Sequence, residues 1–101
     1  MIIKVHLIAF VDHDVRNVDI GQPVDMSTNG ILNQTFYWGQ NDFQPQQHVS
    51  VSAGDVIELN DGRLFLIKAI GFKELSKEQF DSFTAIPRRE RELAQDVWDQ
   101  D

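Results

Sequence analysis

The chain contains no cysteine. Disulfides, thiolate zinc sites, iron–sulfur clusters and thiol nucleophiles are thereby excluded, and the absence fits a reducing compartment. Basic residues are scarce: nine Lys and Arg stand against sixteen Asp and Glu, for a net charge of −7. Residues 17–62 contain no Lys or Arg at all. A broad cationic face for phosphates is hard to build from this composition, so nucleic acid is an unfavoured partner. Long apolar runs are missing too. The N-terminal MIIKVHLIAFV is interrupted by Lys4 and His6. It is too short to span a membrane and lacks the small-residue cleavage site of a signal peptide. No serine sits in a nucleophile-elbow pattern, and no glycine-rich loop leads into a helix to cradle a phosphate. These absences point to a non-enzymatic cytoplasmic protein without cofactor.

What is present reads as one α+β domain spanning residues 1–101, with 98–101 frayed. In the first strand Ile3, Val5, Leu7, Ala9 and Val11 share an apolar face, while Lys4, His6, Ile8 and Phe10 share a half-polar one. Asp12-His13-Asp14 ends the alternation. Residues 12–30 then read mostly as loop, with room for a short extended piece over Val18–Val24. Ser27-Thr28-Asn29 offers N-cap oxygens to a short helix near 30–37, which Gly39 is placed to end.

Asn60-Asp61-Gly62-Arg63 lies between two apolar runs. Asp-Gly suits a two-residue type I′ turn, which pairs Leu59 with Leu64, Glu58 with Phe65, Ile57 with Leu66 and Asp55 with Lys68. One face is then a leucine-rich core patch ending in a solvent-side Asp55–Lys68 pair. The other mixes Glu58 with Val56, Phe65 and Ile67.

Leu75-Ser76-Lys77-Glu78-Gln79-Phe80 spells a capping box and a hydrophobic staple. The helix it starts should stop before Pro87. Pro87 opens a second helix whose Leu93, Ala94, Val97 and Trp98 form an apolar stripe. The expected architecture is an N-terminal strand, one short helix, a central antiparallel hairpin and two C-terminal helices.

Candidate chemistry is sparse. His6, Asp12, His13 and Asp14 are residue types that ligate divalent ions. Neighbouring residues seldom all point at one ion, however, so this stretch reads as a solvated turn and no metal site is expected. The aromatic residues Phe36, Tyr37, Trp38 and Phe43 surround a glycine and a polar loop. Without cations nearby they suit packing or protein recognition better than base stacking. The candidate partner-binding residues are Tyr37, Trp38 and Phe43, with Glu58, Arg63 and Phe65 around the hairpin and Lys73 where it ends. The partner they imply is a protein of unidentified kind.

The run SVSAGDVIELNDGRLFLIKAIGFKEL, preceded by ILNQTFYWGQNDF, resembles the YodL-like domain over residues 30–80. Ser50 to Leu59 match its first strand, and Gly71-Phe72-Lys73-Glu74 match its closing segment. The chain departs from the family in its second strand, where Leu64-Phe65-Leu66-Ile67 replaces a tyrosine-rich segment. The resemblance implies a small accessory domain of phage, plasmid or other mobile-element proteins, with no catalytic activity. A weaker similarity, to the ASCH and PUA group of small β-barrels, implies the alternative of a nucleic-acid-binding module.

Overall fold

The first strand, β1 (Ile2–Leu7), lies inside a five-stranded sheet, paired along both of its edges. The computed structural model describes residues 1–9, 13–40 and 51–86. Along these run β2 (Asp14–Asp19), α1 (Thr28–Trp38), β3 (Val56–Glu58), β4 (Leu64–Ile67), β5 (Phe72–Leu75) and α2 (Lys77–Thr84). The strand order is β2-β1-β3-β4-β5, every neighbour pair antiparallel. The sheet is therefore open, with β2 and β5 at its edges, and forms a small α+β domain. Among the described residues no helix is long and apolar enough to cross a membrane.

Each face of the sheet carries its own apolar core. On one, Ile3, Val5 and Leu7 of β1 join Val18, Ile20, Ile57, Leu59, Phe65 and Ile67 beneath Leu32 of α1. On the other, Ile8, Val56, Leu64, Leu66 and Leu75 pack against Phe80 and Phe83 of α2. The alternation read from β1 is observed: Ile3, Val5 and Leu7 belong to the α1 face.

The central hairpin departs from the expected register by one residue. Glu58 lies opposite Leu64, Ile57 opposite Phe65 and Val56 opposite Leu66. The reason lies in the turn. A type I′ turn needs positive φ at both central residues, yet no residue other than glycine has positive φ here, so Asp61 does not supply one. Instead Gly62 alone is left-handed, at φ +93°. Its N–H donates to the Leu59 carbonyl at 2.9 Å, and the Leu59 N–H donates to the Arg63 carbonyl at 2.9 Å. Asn60-Asp61-Gly62 is thus a three-residue loop, a turn followed by a left-handed glycine. Asp61 Oδ1 accepts the Arg63 N–H at 3.1 Å and closes it. Because side chains alternate with a period of two, one residue of slip moves all of β4 to opposite faces. Phe65 and Ile67 go under α1, and Leu64 and Leu66 go under α2.

Two strands were not expected. Residues 14–19 form edge strand β2, with Arg16 and Val18 turned inward, where loop was the reading. GFKEL does not merely end the hairpin: Gly71 turns at φ +78° and Phe72–Leu75 pair with β4 as β5.

The helices follow their sequence signals closely. Ser27 caps α1 by accepting the Gly30 N–H at 3.1 Å. Gly39 ends it with an ordinary right-handed φ of −76°. Glycine is needed there for space, since a Cβ would collide with the Val51 side chain. Both halves of the α2 capping box form: Ser76 Oγ accepts from Gln79 N–H at 3.0 Å, and Gln79 Oε1 accepts from Ser76 N–H at 2.9 Å. Leu75 and Phe80 are both buried, as the staple requires. Ala85 caps the end of α2, ahead of Pro87. The second C-terminal helix expected from Pro87 lies outside the described residues, as do the last residues expected to fray.

Candidate functional site

The outer surface of α1 is unusual for a surface helix. The segment TNGILNQTFYW holds no charged residue. Its inner line, Leu32 and Thr35 followed by the cap Gly39, is buried, while Asn29, Asn33, Phe36 and Tyr37 fall on the exposed side at helical spacing. The last turn presents Phe36, Tyr37 and Trp38 at 37%, 55% and 37% exposure. Tyr37 and Trp38 meet edge to face, with ring centroids 5.2 Å apart, a geometry aromatic quadrupoles favour. Trp38 also borders an open groove of about 350 Å³ lined by Asp19, Ile20 and Gly21. Helical side chains lean toward the N-terminus, which brings the indole from the end of α1 toward the end of β2. Trp38 of the exposed aromatic pair therefore borders the same groove as Asp19, a carboxylate that is 73% exposed and lies 3.8 Å from the Met1 ammonium.

The register disperses the other candidates. Glu58 and Phe65, expected side by side, lie on opposite faces. Phe65 is 7% exposed and belongs to the α1-side core, so it is not available to a partner. Arg63 sits in the turn with its Nε 2.8 Å from Asp61 Oδ2, its Nη2 3.2 Å from Thr28 Oγ1 and its guanidinium 5.7 Å above the Phe65 ring. It ties the hairpin to the start of α1. Lys73 is half-buried on β5 opposite Leu66, on the same face as Glu58. Phe43 lies outside the described residues.

Glu58 takes part in a polar chain that pairing alone creates. β1 places Lys4 opposite Glu58 and His6 opposite Val56, and it places His6 opposite Val15 of β2. Glu58 and His13 are then the diagonal neighbours of His6 on its two sides. Glu58 Oε1 lies 2.9 Å from His6 Nε2, and His6 Nδ1 lies 3.0 Å from His13 Nε2. Lys4 Nζ stands 3.9 Å from Glu58 Oε2. The His6 ring packs on Phe80 of α2, with centroids 4.7 Å apart. His6 is buried and His13 exposed, so the chain runs from core to surface. Sequence reasoning grouped His6 and His13 but had no means of adding Glu58, which is 52 residues from His6.

Two buried charges were also missed. Asp55, expected to face solvent opposite Lys68, is 1% exposed. Its Oδ1 accepts the N–H groups of Ile8 and Ala9, each at 2.9 Å, and its Oδ2 accepts that of Ser52 at 2.8 Å. Burial holds its carboxyl above the ordinary range, against the opposing pull of those N–H groups and of Arg16. Arg16, 8% exposed, sends Nη1 toward the Gly39 carbonyl at 3.4 Å. Its buried Nη2 has no partner among the described residues. Burial lowers its pKa, while Asp14 and Asp55 act to raise it.

Among the described residues, no group of three or more His, Asp and Glu side chains converges as a ready metal cage. No protein-family model matches the chain, and no curated protein or solved structure matches it at a significant level.

Proposed function

We propose that this protein is a small interaction module that captures a Lys- or Arg-bearing segment of a partner protein on the outer surface of α1. The observation that carries this reading is the exposed Tyr37–Trp38 pair, whose indole borders the same groove as Asp19. Aromatic faces attract cations and serve as anchors at protein interfaces. The net charge of −7, and the absence of Lys and Arg from residues 17–62, favour a basic partner by long-range attraction. The resemblance of residues 30–80 to YodL-like domains supports an accessory, non-catalytic role in a mobile element.

The test is a fluorescence and NMR titration with two synthetic peptides, one alternating Arg and Leu and the other alternating Glu and Leu. A Trp98→Phe background leaves Trp38 as the sole indole. The Arg peptide should bind, with amide shifts centred on Asp19 and residues 36–39. Tyr37→Ala combined with Trp38→Ala should weaken it at least about tenfold, in line with aromatic anchors at interfaces. Raised salt should weaken it as well. Equal affinity in the double variant, or no preference between the peptides, would defeat the proposal. Retention of single-stranded RNA with the peptides ignored would favour the nucleic-acid alternative instead.

A further inference from the structure

We infer that His6 and His13 form a binding site for one divalent transition-metal ion of the Cu2+ or Ni2+ kind, with Glu58 holding His6 in the orientation the ion requires. This inference rests on the sheet face under α2 and is independent of the α1 surface.

The two imidazoles already converge. His6 Nδ1 and His13 Nε2 are 3.0 Å apart, with ring centroids at 5.2 Å. In the metal-free chain that contact holds one proton. The Glu58 carboxylate accepts the His6 Nε2–H, which fixes the tautomer and turns the lone pair of Nδ1 toward His13. His13 Nε2–H then donates to that lone pair. An ion takes the place of the shared proton when His13 carries its own proton on Nδ1 instead, so no net proton is released from the neutral pair.

The choice of ion follows from the spacing. With metal–nitrogen bonds of about 2.0–2.1 Å, nitrogens 3.0 Å apart subtend roughly 95° at the ion. Tetrahedral zinc needs them spread to roughly 3.3 Å. The closer spacing suits adjacent positions in the tetragonal geometry of Cu2+ and Ni2+, for which imidazole is a preferred ligand. The ion lies off the N–N line by roughly 40° at each nitrogen, so the rings turn to meet it, most freely at the exposed His13. Water completes the coordination, which the exposed position of His13 allows.

The surroundings of His6 match those of a ligating histidine. Such a ligand donates its second N–H to a carboxylate, which orients the ring and strengthens its basicity. Glu58 does this at 2.9 Å, and Lys4 lies 3.9 Å from the other carboxylate oxygen. Phe80, 4.7 Å from the His6 ring, restricts its rotation from the α2 side. The ion would clip the start of β2 to β1 and raise the melting temperature, because the unfolded chain does not hold the pair together.

Titration of the full chain with Cu2+, followed by calorimetry and electron paramagnetic resonance, tests the assignment. One ion per chain is expected, with hyperfine splitting from two nitrogens. His13→Ala should weaken binding at least tenfold and remove one nitrogen from the spectrum. His13 is exposed, so its replacement leaves the core intact, whereas His6→Ala would empty a buried position. Glu58→Gln should weaken binding about tenfold while leaving both nitrogens in place. His48→Ala should leave affinity unchanged. A His13→Ala chain that binds as tightly as the parent, or a His48→Ala chain that no longer binds, would overturn the inference. So would the absence of any stoichiometric site.

Discussion

Replacing Phe65 with alanine should remove about 3–5 kcal/mol of stability, the cost of emptying a buried phenylalanine site. Phe65 lies under α1 among Ile57, Leu59 and Ile67 and is 7% exposed. The Arg63 guanidinium above its ring adds a cation–π contact of about 0.5–1 kcal/mol at such a rim position. Had the turn been the two-residue kind, Phe65 would share a partly covered face with Glu58, and its loss would cost much less. Chemical denaturation with urea measures the difference. A loss below about 1.5 kcal/mol, the size expected of a half-covered side chain, would place Phe65 outside the core.

Asp55→Ala should cost about 2–4 kcal/mol, since three backbone N–H groups lose their acceptor at once. The Ile8 N–H is the most buried of the three bonds. Water reaches the half-buried Ala9 and Ser52 more easily, which keeps the total below three full penalties. Removing a buried ionised group offsets a further part of the cost. Asp55→Asn retains one acceptor oxygen for Ile8 and Ala9 but turns an amide toward the Ser52 N–H, so it should cost about 1–2 kcal/mol.

The pH dependence has a definite sign. Burial raises the Asp55 carboxyl in the folded state. Stability from this group is therefore fully present below the unfolded carboxylate range and is lost as pH rises through the higher folded value. The advantage of the parent chain over Asp55→Asn should accordingly shrink as pH rises above the ordinary carboxylate range of about 4. An advantage that grows over that rise would show that the N–H groups outweigh burial at this carboxyl.

Local features of the fold were legible in the sequence because the interactions behind them are local. Ser76 and Gln79 satisfy each other across three residues, and Ser27 caps α1 in the same way. The alternation in β1 gave the correct faces. Strand β2 was hidden because its apolar positions are broken by Arg16 on the inner face, and Asp14, Asn17 and Asp19 read as loop chemistry. Arg16 is tolerated inside because Asp14 and Asp55 lie near it, and the relation to Asp55 joins segments too far apart in sequence for a local pattern to show. The hairpin failed on one dihedral angle. Asp-Gly supports either a two-residue or a three-residue loop, and the difference is whether Asp61 takes positive φ.

That angle decides which residues form a site. The candidates Glu58, Arg63 and Phe65 were one patch under the two-residue turn. Under the three-residue turn, Phe65 becomes core, Arg63 becomes a strut to Thr28, and Glu58 faces His6. The His6–Glu58 contact needs β1 beside β3, a pairing between segments some fifty residues apart that no local pattern announces. Tyr37 and Trp38 were legible as exposed candidates because an apolar residue outside the inner line of a helix stands out. Their neighbour Asp19 was not, since it depends on how α1 lies beside β2.

The register of the central hairpin is the claim on which the core placement of Phe65 leans, and a nuclear Overhauser spectrum tests it directly. The Leu59–Arg63 and Ile67–Asp55 hydrogen bonds make 59/63, 57/65 and 55/67 the hydrogen-bonded pairs. Val56/Leu66 and Glu58/Leu64 are then the close, non-hydrogen-bonded pairs, whose α-protons face each other. Strong cross-peaks between the α-protons of Val56 and Leu66, and of Glu58 and Leu64, are expected. Cross-peaks joining Ile57 to Leu66 or Glu58 to Phe65 would contradict the account and return Phe65 to the side of Glu58.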